Sequence, residues 1–281
     1  MRRLVIRPGA IGDTIVSLPA VEKLCSAESG VDSAEIWAPA RNLPLLRHIA
    51  AVRAFTAVQL DLLEIDPPAA LIDRLRAFDE IVSWYGAARE EFRDALLTVG
   101  VPFRLLTALP PEGCGRHAVD FYLQQAGFDA AAAQHIPPRL PMQRRAGARV
   151  GGFIAIHPFS GSPKKNCELT WFQAIAERLK ETTGLSCEWC AGPEEELPGA
   201  RRFDRLDEVA EWLSGAALYL GNDCGISHLA AACGVPSVVI FRVTDPAVWA
   251  PRGTMVAALE RPNVEQVENA CLTLLRAGAS G

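Results

Sequence analysis

Short apolar runs alternate with segments of helical periodicity along most of the chain. Residues 4–7, 33–38, 51–58, 80–84 and 102–108 read as strands. Helical patterns lie between them, over 14–26, 67–77, 88–99 and 117–126. The first places Ile15, Leu18, Val21, Leu24 and Cys25 on one face. The alternation then restarts with strands at 153–157, 185–191, 216–220 and 237–241. Helices are expected at 170–182, 206–213, 229–233 and 264–276. Strands that alternate with helices predict an α/β fold built on parallel, doubly wound sheets.

Between Ala130 and Gly151 the pattern stops. An alanine run, Ile136-Pro137-Pro138-Arg139-Leu140-Pro141 and Arg144-Arg145-Ala146-Gly147 fill the gap. Proline stiffens such a stretch, so it reads as a semi-rigid linker. Domains are expected over 1–145 and 150–262, with a terminal helical segment over 263–281. A length of 281 residues suits two such domains, and 49% hydrophobic residues suffice for their cores.

Net charge is −5 with no long basic run, which argues against nucleic acid as a partner. No stretch reaches the roughly 18 apolar residues of a membrane span, and the apolar run after Met1-Arg2-Arg3 is too short for a signal peptide. The expected location is cytoplasmic. The eight cysteines are scattered. Cys187 and Cys190 have C-x-x-C spacing but fall on an expected strand, so they read as small core hydrophobes.

The chemistry concentrates around Leu220-Gly221-Asn222-Asp223-Cys224-Gly225-Ile226-Ser227-His228. A strand that turns sharply into a helix leaves unpaired N–H groups at the positive end of the helix dipole, a ready anion site. Gly225 allows close approach of a ligand, and His228 falls one turn into the helix. A plain capped turn is the alternative, with Asn222 or Asp223 as N-cap.

Asn222-Asp223-Cys224-Gly225-Ile226-Ser227-His228-Leu229-Ala230-Ala231 resembles the N-D-[ST]-G-x-x-H-[LI]-A-A signature of the heptosyltransferase family of GT-B glycosyltransferases. The opening is similar to that family's too: Arg7, Ile11, Gly12 and Asp13 fit R-x-x-x-[LI]-G-D, and Leu18-Pro19-Ala20 follows. His157-Pro158 through Ser162 and Lys165 looks like its H-P-G-x-S...K segment, with Phe159 for the usual glycine and Cys167 for the usual tryptophan. Gly192-Pro193-Glu194-Glu195-Glu196 resembles its nucleoside turn. Thr244-Asp245-Pro246 keeps the end of F-G-P-T-D-P, whereas Arg242-Val243 replaces the glycine-proline turn.

The resemblance implies two Rossmann-like domains facing a central cleft, with the terminal helix packing back towards the N-terminal one. It implies transfer of a sugar, ADP-activated heptose above all, to a glycan or glycolipid hydroxyl such as lipopolysaccharide core. A glycolipid acceptor would bring the protein to the inner membrane surface. Asp13 is then the base, beside Gly12, and Tyr85, Arg89 and His117 are candidates to face the acceptor. Ser162, Lys165, Asp223, Cys224, Gly225 and His228 hold the diphosphate, with Glu194 on the ribose. No D-x-D occurs, so neither a metal nor a cofactor is expected. His228, facing a cleft, is expected to support little core. A catalytically silent nucleotide-sugar-binding module and a GT-B sugar epimerase are the alternatives. A NAD-dependent dehydrogenase fits least, because Gly9 and Gly12 lack the G-x-G-x-x-G order.

Overall fold

The structure, a computed structural model, describes residues 1–128, 137–141, 152–253 and 255–279. It divides into two compact units, Met1–Ile136 and Pro137–Gly281. Each unit holds a five-stranded, fully parallel sheet, as the alternating pattern predicts.

In the N-terminal unit, β1 (Arg2–Ile6), β2 (Ser33–Ala38), β3 (Ala51–Ala54), β4 (Glu80–Ser83) and β5 (Phe103–Leu105) take the order β3-β2-β1-β4-β5. Leu4, Val5 and Ile6 are fully buried, because a parallel strand has helices on both faces. Three elements differ from expectation, the first being the strand expected over 102–108, which is cut to Phe103–Leu105. The helix expected over 14–26 is split into Ile11–Val16 and Leu18–Cys25 at Ser17. There the Ser17 hydroxyl donates to the Thr14 carbonyl at 2.9 Å, and Pro19 opens the second piece. The strand expected to run to 58 stops at Ala54. Phe55–Val58 turns into a helix that brings Val58 into the same core cluster as Leu60 and Leu63.

In the C-terminal unit, β6 (Phe153–His157), β7 (Ser186–Trp189), β8 (Leu218–Asn222), β9 (Ser237–Phe241) and β10 (Val256–Glu260) take the order β10-β9-β8-β6-β7. β8 lies two residues later than expected. Its helix runs Gly225–Ala232, starting a turn before the alanines. Helix Val264–Ala279, the segment expected to return across the linker, packs on helix Leu169–Thr183 and on β8 to β10, burying Val267 and Cys271.

The linker expected over 130–151 lies mostly outside the described residues. Its described part, 137–141, belongs to the C-terminal unit, where the Leu140 N–H donates to the Ala232 carbonyl at 3.1 Å. That bond satisfies a carbonyl left over at a helix end and holds the proline-rich stretch in place. Among the described residues no helix is long and apolar enough to cross a membrane.

Candidate functional site

Each sheet has one point at which the connections leaving neighbouring strands run to opposite sides, between β1 and β4 in the first and between β6 and β8 in the second. The crevice beyond the C-terminal strand ends at such a point is where open α/β sheets bind ligands. His157 ends β6 and Asn222 ends β8, with His157 in register with Gly221. A Cβ on Gly221 would meet the Tyr219 hydroxyl at 2.3 Å and the His157 carbonyl at 2.8 Å, so only glycine lets the strands close here. A cavity of about 760 Å³ lies at the opposite edge, beside Ala217, Pro236 and Met255, where the strands begin. That places it on the wrong edge for a switch-point ligand.

Lys165 and Asp223, 58 residues apart, meet at this crevice: Nζ is 2.6 Å from Oδ2. Asp223 is 5% exposed, and Thr244 donates its hydroxyl to the same oxygen. Asn222 is fully buried and ties the β6 loop down. Its amide donates to the Pro158 carbonyl at 2.6 Å, and its oxygen accepts the Cys167 N–H at 3.3 Å. Neither Asn222 nor Asp223 caps the following helix. Cys224 is the N-cap residue, and no side chain accepts there. The helix N-terminus is thus flanked by an ammonium group and has N–H groups to spare.

His228 is 5% exposed. The expectation that it supports little core therefore fails, since one turn into this helix the side chain is already packed. Ser162 opens the short turn Pro163–Lys165, its carbonyl accepting the Lys165 N–H at 3.0 Å. Arg242 reaches the same loop, donating to the Asn166 carbonyl at 3.1 Å. With Lys164, Cys167, Trp171 and Arg261 it lines a concavity of about 520 Å³. Cys167 fits here as a half-buried thiol whose pKa burial pushes up, against the nearby Arg242 charge.

Glu194 is exposed, and the glutamate engaged at that turn is its neighbour. Glu195 Oε2 lies 3.2 Å from His157 Nε2 and accepts the Gly192 N–H at 2.6 Å. His157 Nδ1 in turn lies 3.5 Å from Cys224 Sγ. Residue types gave no notice of this line, because it joins the ends of β6, β7 and β8 across 67 positions of sequence. Cys190 is buried, which pushes its thiol up to about 12, as befits a core hydrophobe.

In the N-terminal unit Asp13 sits in the first helical turn, where Oδ2 accepts the Ala10 N–H at 2.8 Å. Gly9 has φ +106°, and a Cβ there would lie 2.8 Å from both Cβ and Oδ2 of Asp13. Gly12 lies beside it, half-buried. Arg7, just past β1 and 1% exposed, donates Nε to the Ser17 hydroxyl at 2.7 Å and Nη2 to the Asp13 carbonyl at 2.6 Å. Its guanidinium lies 4.6 Å from the Tyr122 ring centroid and 5.4 Å from that of Trp84. This desolvated cation holds the Asp13 backbone in place.

The three acceptor candidates make structural contacts. Arg89 lies 4.5 Å over the Tyr85 ring and pairs with Glu64 at 2.9 Å. His117 caps helix Ala118–Gln125, Nδ1 accepting the Val119 N–H. Among the described residues, no group of three or more His, Cys, Asp or Glu is placed to hold a metal ion.

The chain is 28% identical over 154 residues to lipopolysaccharide heptosyltransferase 1 of Escherichia coli, and the match spans half of this chain but only 46% of that relative. Its fold is similar to that of E. coli ADP-heptose lps heptosyltransferase II, with a TM-score of 0.75 at 17% identity, covering 99% of this chain and 100% of the other. It is also similar to TibC, described as a bacterial iron-containing dodecameric glycosyltransferase from enterotoxigenic E. coli, with a TM-score of 0.67 at 14% identity over 98% and 76% of the two chains. These likenesses place both sheets in the GT-B class. The family model of glycosyltransferase family 9 (heptosyltransferase) matches residues 151–273, the stretch that carries Lys165, Asp223 and the helix N-terminus beside them.

Proposed function

We propose that the protein is an inverting glycosyltransferase that moves heptose from ADP-heptose to a hydroxyl of a glycan or glycolipid such as lipopolysaccharide core. The observation that carries this reading is the meeting of Lys165 with a helix N-terminus at the switch point of the second sheet. A diphosphate there would lie between an ammonium group and the unpaired N–H groups at Cys224 and Gly225, with His228 behind them. Arg242 adds positive charge from the β9 side. Donors fixed in advance towards the departing diphosphate stabilise charge as it develops. They do so without a metal, which is the form of the reaction proposed here.

Asp13 would accept the proton of the acceptor hydroxyl as it attacks the anomeric carbon. A carboxylate is a weak base, but it suffices when the alcohol gives up its proton late, after the carbon has become oxocarbenium-like. A glycolipid acceptor would bring the protein to the inner membrane surface from the cytoplasmic side. Transfer from ADP-heptose to a heptose-deficient lipopolysaccharide core, followed by ADP release, tests the reading. Turnover unchanged by EDTA is the expected result; turnover that collapses and returns with added metal ion overturns the metal-free form. No release of ADP with any nucleotide-heptose and acceptor overturns the reading itself.

A further inference from the structure

The line Glu195–His157–Cys224 has the build of a nucleophilic thiol site. Glu195 Oε2 accepts the Gly192 N–H at 2.6 Å, and Arg202 anchors the backbone of the same residue by donating Nη2 to the Glu195 carbonyl at 2.5 Å. A carboxylate only accepts, so the 3.2 Å contact to His157 Nε2 fixes the proton on that nitrogen. In a neutral imidazole this leaves the lone pair of Nδ1 facing Cys224 Sγ, 3.5 Å away. The base is therefore aimed at the thiol by a third group, which is how activated cysteines are arranged. The surroundings add to this. Sγ sits at the N-terminus of helix Gly225–Ala232, with the Ser227 hydroxyl at 3.4 Å and the Tyr219 hydroxyl at 3.8 Å. The Ser227 proton is already given to the Asn222 carbonyl at 2.5 Å, so the proton that moves along this line is the one shared between Sγ and Nδ1.

We propose that Cys224 is a modification site, a thiol activated by His157 that hydrogen peroxide oxidises to sulfenic acid. The sulfur attacks one peroxide oxygen; the S–O bond forms as the O–O bond breaks. Sulfur is oxidised by two electrons, and the second oxygen leaves as hydroxide and takes the proton that His157 Nδ1 received from the thiol, giving water and a neutral imidazole. The titration directions agree with this. Burial raises the Cys224 thiol, but the His157 charge and the hydrogen bond with His157 oppose it and bring the thiol below its usual value. Burial lowers His157, yet Cys224 and Glu195 together carry it to about 9. Cys224 is also partly exposed, unlike buried Cys190 and Cys271, whose thiols burial pushes up to about 12.

The test uses the full chain and its own cysteines as controls. Peroxide is added with dimedone, and the adducts are located by peptide mass spectrometry. Separately, iodoacetamide alkylation of each cysteine is timed from pH 5 to 9. The expected results are a dimedone adduct on Cys224 and alkylation there at pH 7 about tenfold faster than at Cys114, another partly exposed cysteine, which donates to the Arg116 carbonyl. His157→Asn should slow the Cys224 reaction about as much and move its pH profile upward. Glu195→Gln, on the loop rather than in the sheet, should do so in part and serves if His157→Asn does not fold. The profile is read against the other groups that face this line, Tyr219, Cys190 and Arg202. Cys224 reacting no faster than Cys114, or with a rate and pH profile untouched in the folded variants, overturns the proposal.

Discussion

Lys165 and Asp223 form an ion pair of 2.6 Å whose two members are unequally covered: the lysine side chain is 28% exposed and the aspartate 6%. A buried carboxylate is costly without a partner, so the lysine has a structural task as well as a chemical one. Thr244 shares that task by donating to the same oxygen.

Lys165→Met should therefore do two things at once. It should weaken ADP binding by roughly 1.5–3 kcal/mol, the loss of a charge-assisted contact. It should also lower the melting temperature, because Asp223 keeps only the Thr244 hydroxyl. Adding Asp223→Asn removes the buried charge and should restore most of the stability but none of the affinity. Calorimetry and thermal unfolding of both variants separate the two roles. A single variant that melts lower yet binds ADP as the parent does would make Lys165 a purely structural residue.

Asp13→Asn should leave ADP affinity within a few-fold of the parent and remove transfer, since Asp13 and the phosphate loop belong to different units. Asparagine can still accept the Ala10 N–H through its side-chain oxygen, so the turn should hold and the melting point should change little. Gly9→Ala makes a steric test of the same site. Its Cβ would collide with Asp13 and its φ of +106° is strained for alanine, so stability should fall by about 1–3 kcal/mol and turnover with it. Near-parental turnover in Asp13→Asn would exclude the residue as base.

The strands most legible in the sequence were those buried on both faces. Ser33–Ala38, Phe153–His157 and Ser237–Phe241 stand as expected, because a central parallel strand must be a continuous apolar run. β10 escaped notice: Ala257-Ala258 lacks β-branched residues, and an edge strand needs less apolar surface. The helix after β8 starts at Gly225 rather than at the alanines because Gly225 and Ser227 are poor helix formers that tertiary contacts override. The pairing of Lys165 with Asp223 was not legible, as nothing local says that positions 58 apart will meet. The His157–Glu195 contact was missed for a related reason. Which of three consecutive glutamates turns inward is set by the register of the Gly192 turn, and Glu194 and Glu196 both stay exposed.

His228→Ala should weaken nucleoside-diphosphate binding by roughly 1–3 kcal/mol and, the side chain being 5% exposed, should cost stability as well. Gly225→Val should be worse for binding, since a branched side chain takes the space a phosphate needs at the helix end. Both act on one ligand group, so the double variant should lose less affinity than the sum of the singles. Calorimetry with ADP and UDP reads all three. Unaltered affinity in His228→Ala, with only the melting point lowered, would remove this histidine from the site.

The Glu195 carboxyl makes the stability of the C-terminal unit depend on acidity. Burial pushes its pKa up, but hydrogen bonds from His157 and the Gly192 N–H, with the charges of His157 and Arg202, hold it below the ordinary 4.5. A carboxyl lowered on folding contributes stability that is complete above its unfolded value and is lost as pH falls through the folded one. The acid limb below about pH 4.5 is thus where this contact fails. Glu195→Gln keeps the shape, loses the charge and should cost about 1 kcal/mol at pH 7, a fall of a few degrees in melting temperature. On acidification below pH 4.5 the parent should progressively lose that advantage and the two melting curves should draw together. Parallel curves from pH 7 to pH 3 would mean that Glu195 carries no charge-dependent stability, and that the imidazole of His157 is held by something other than this carboxylate.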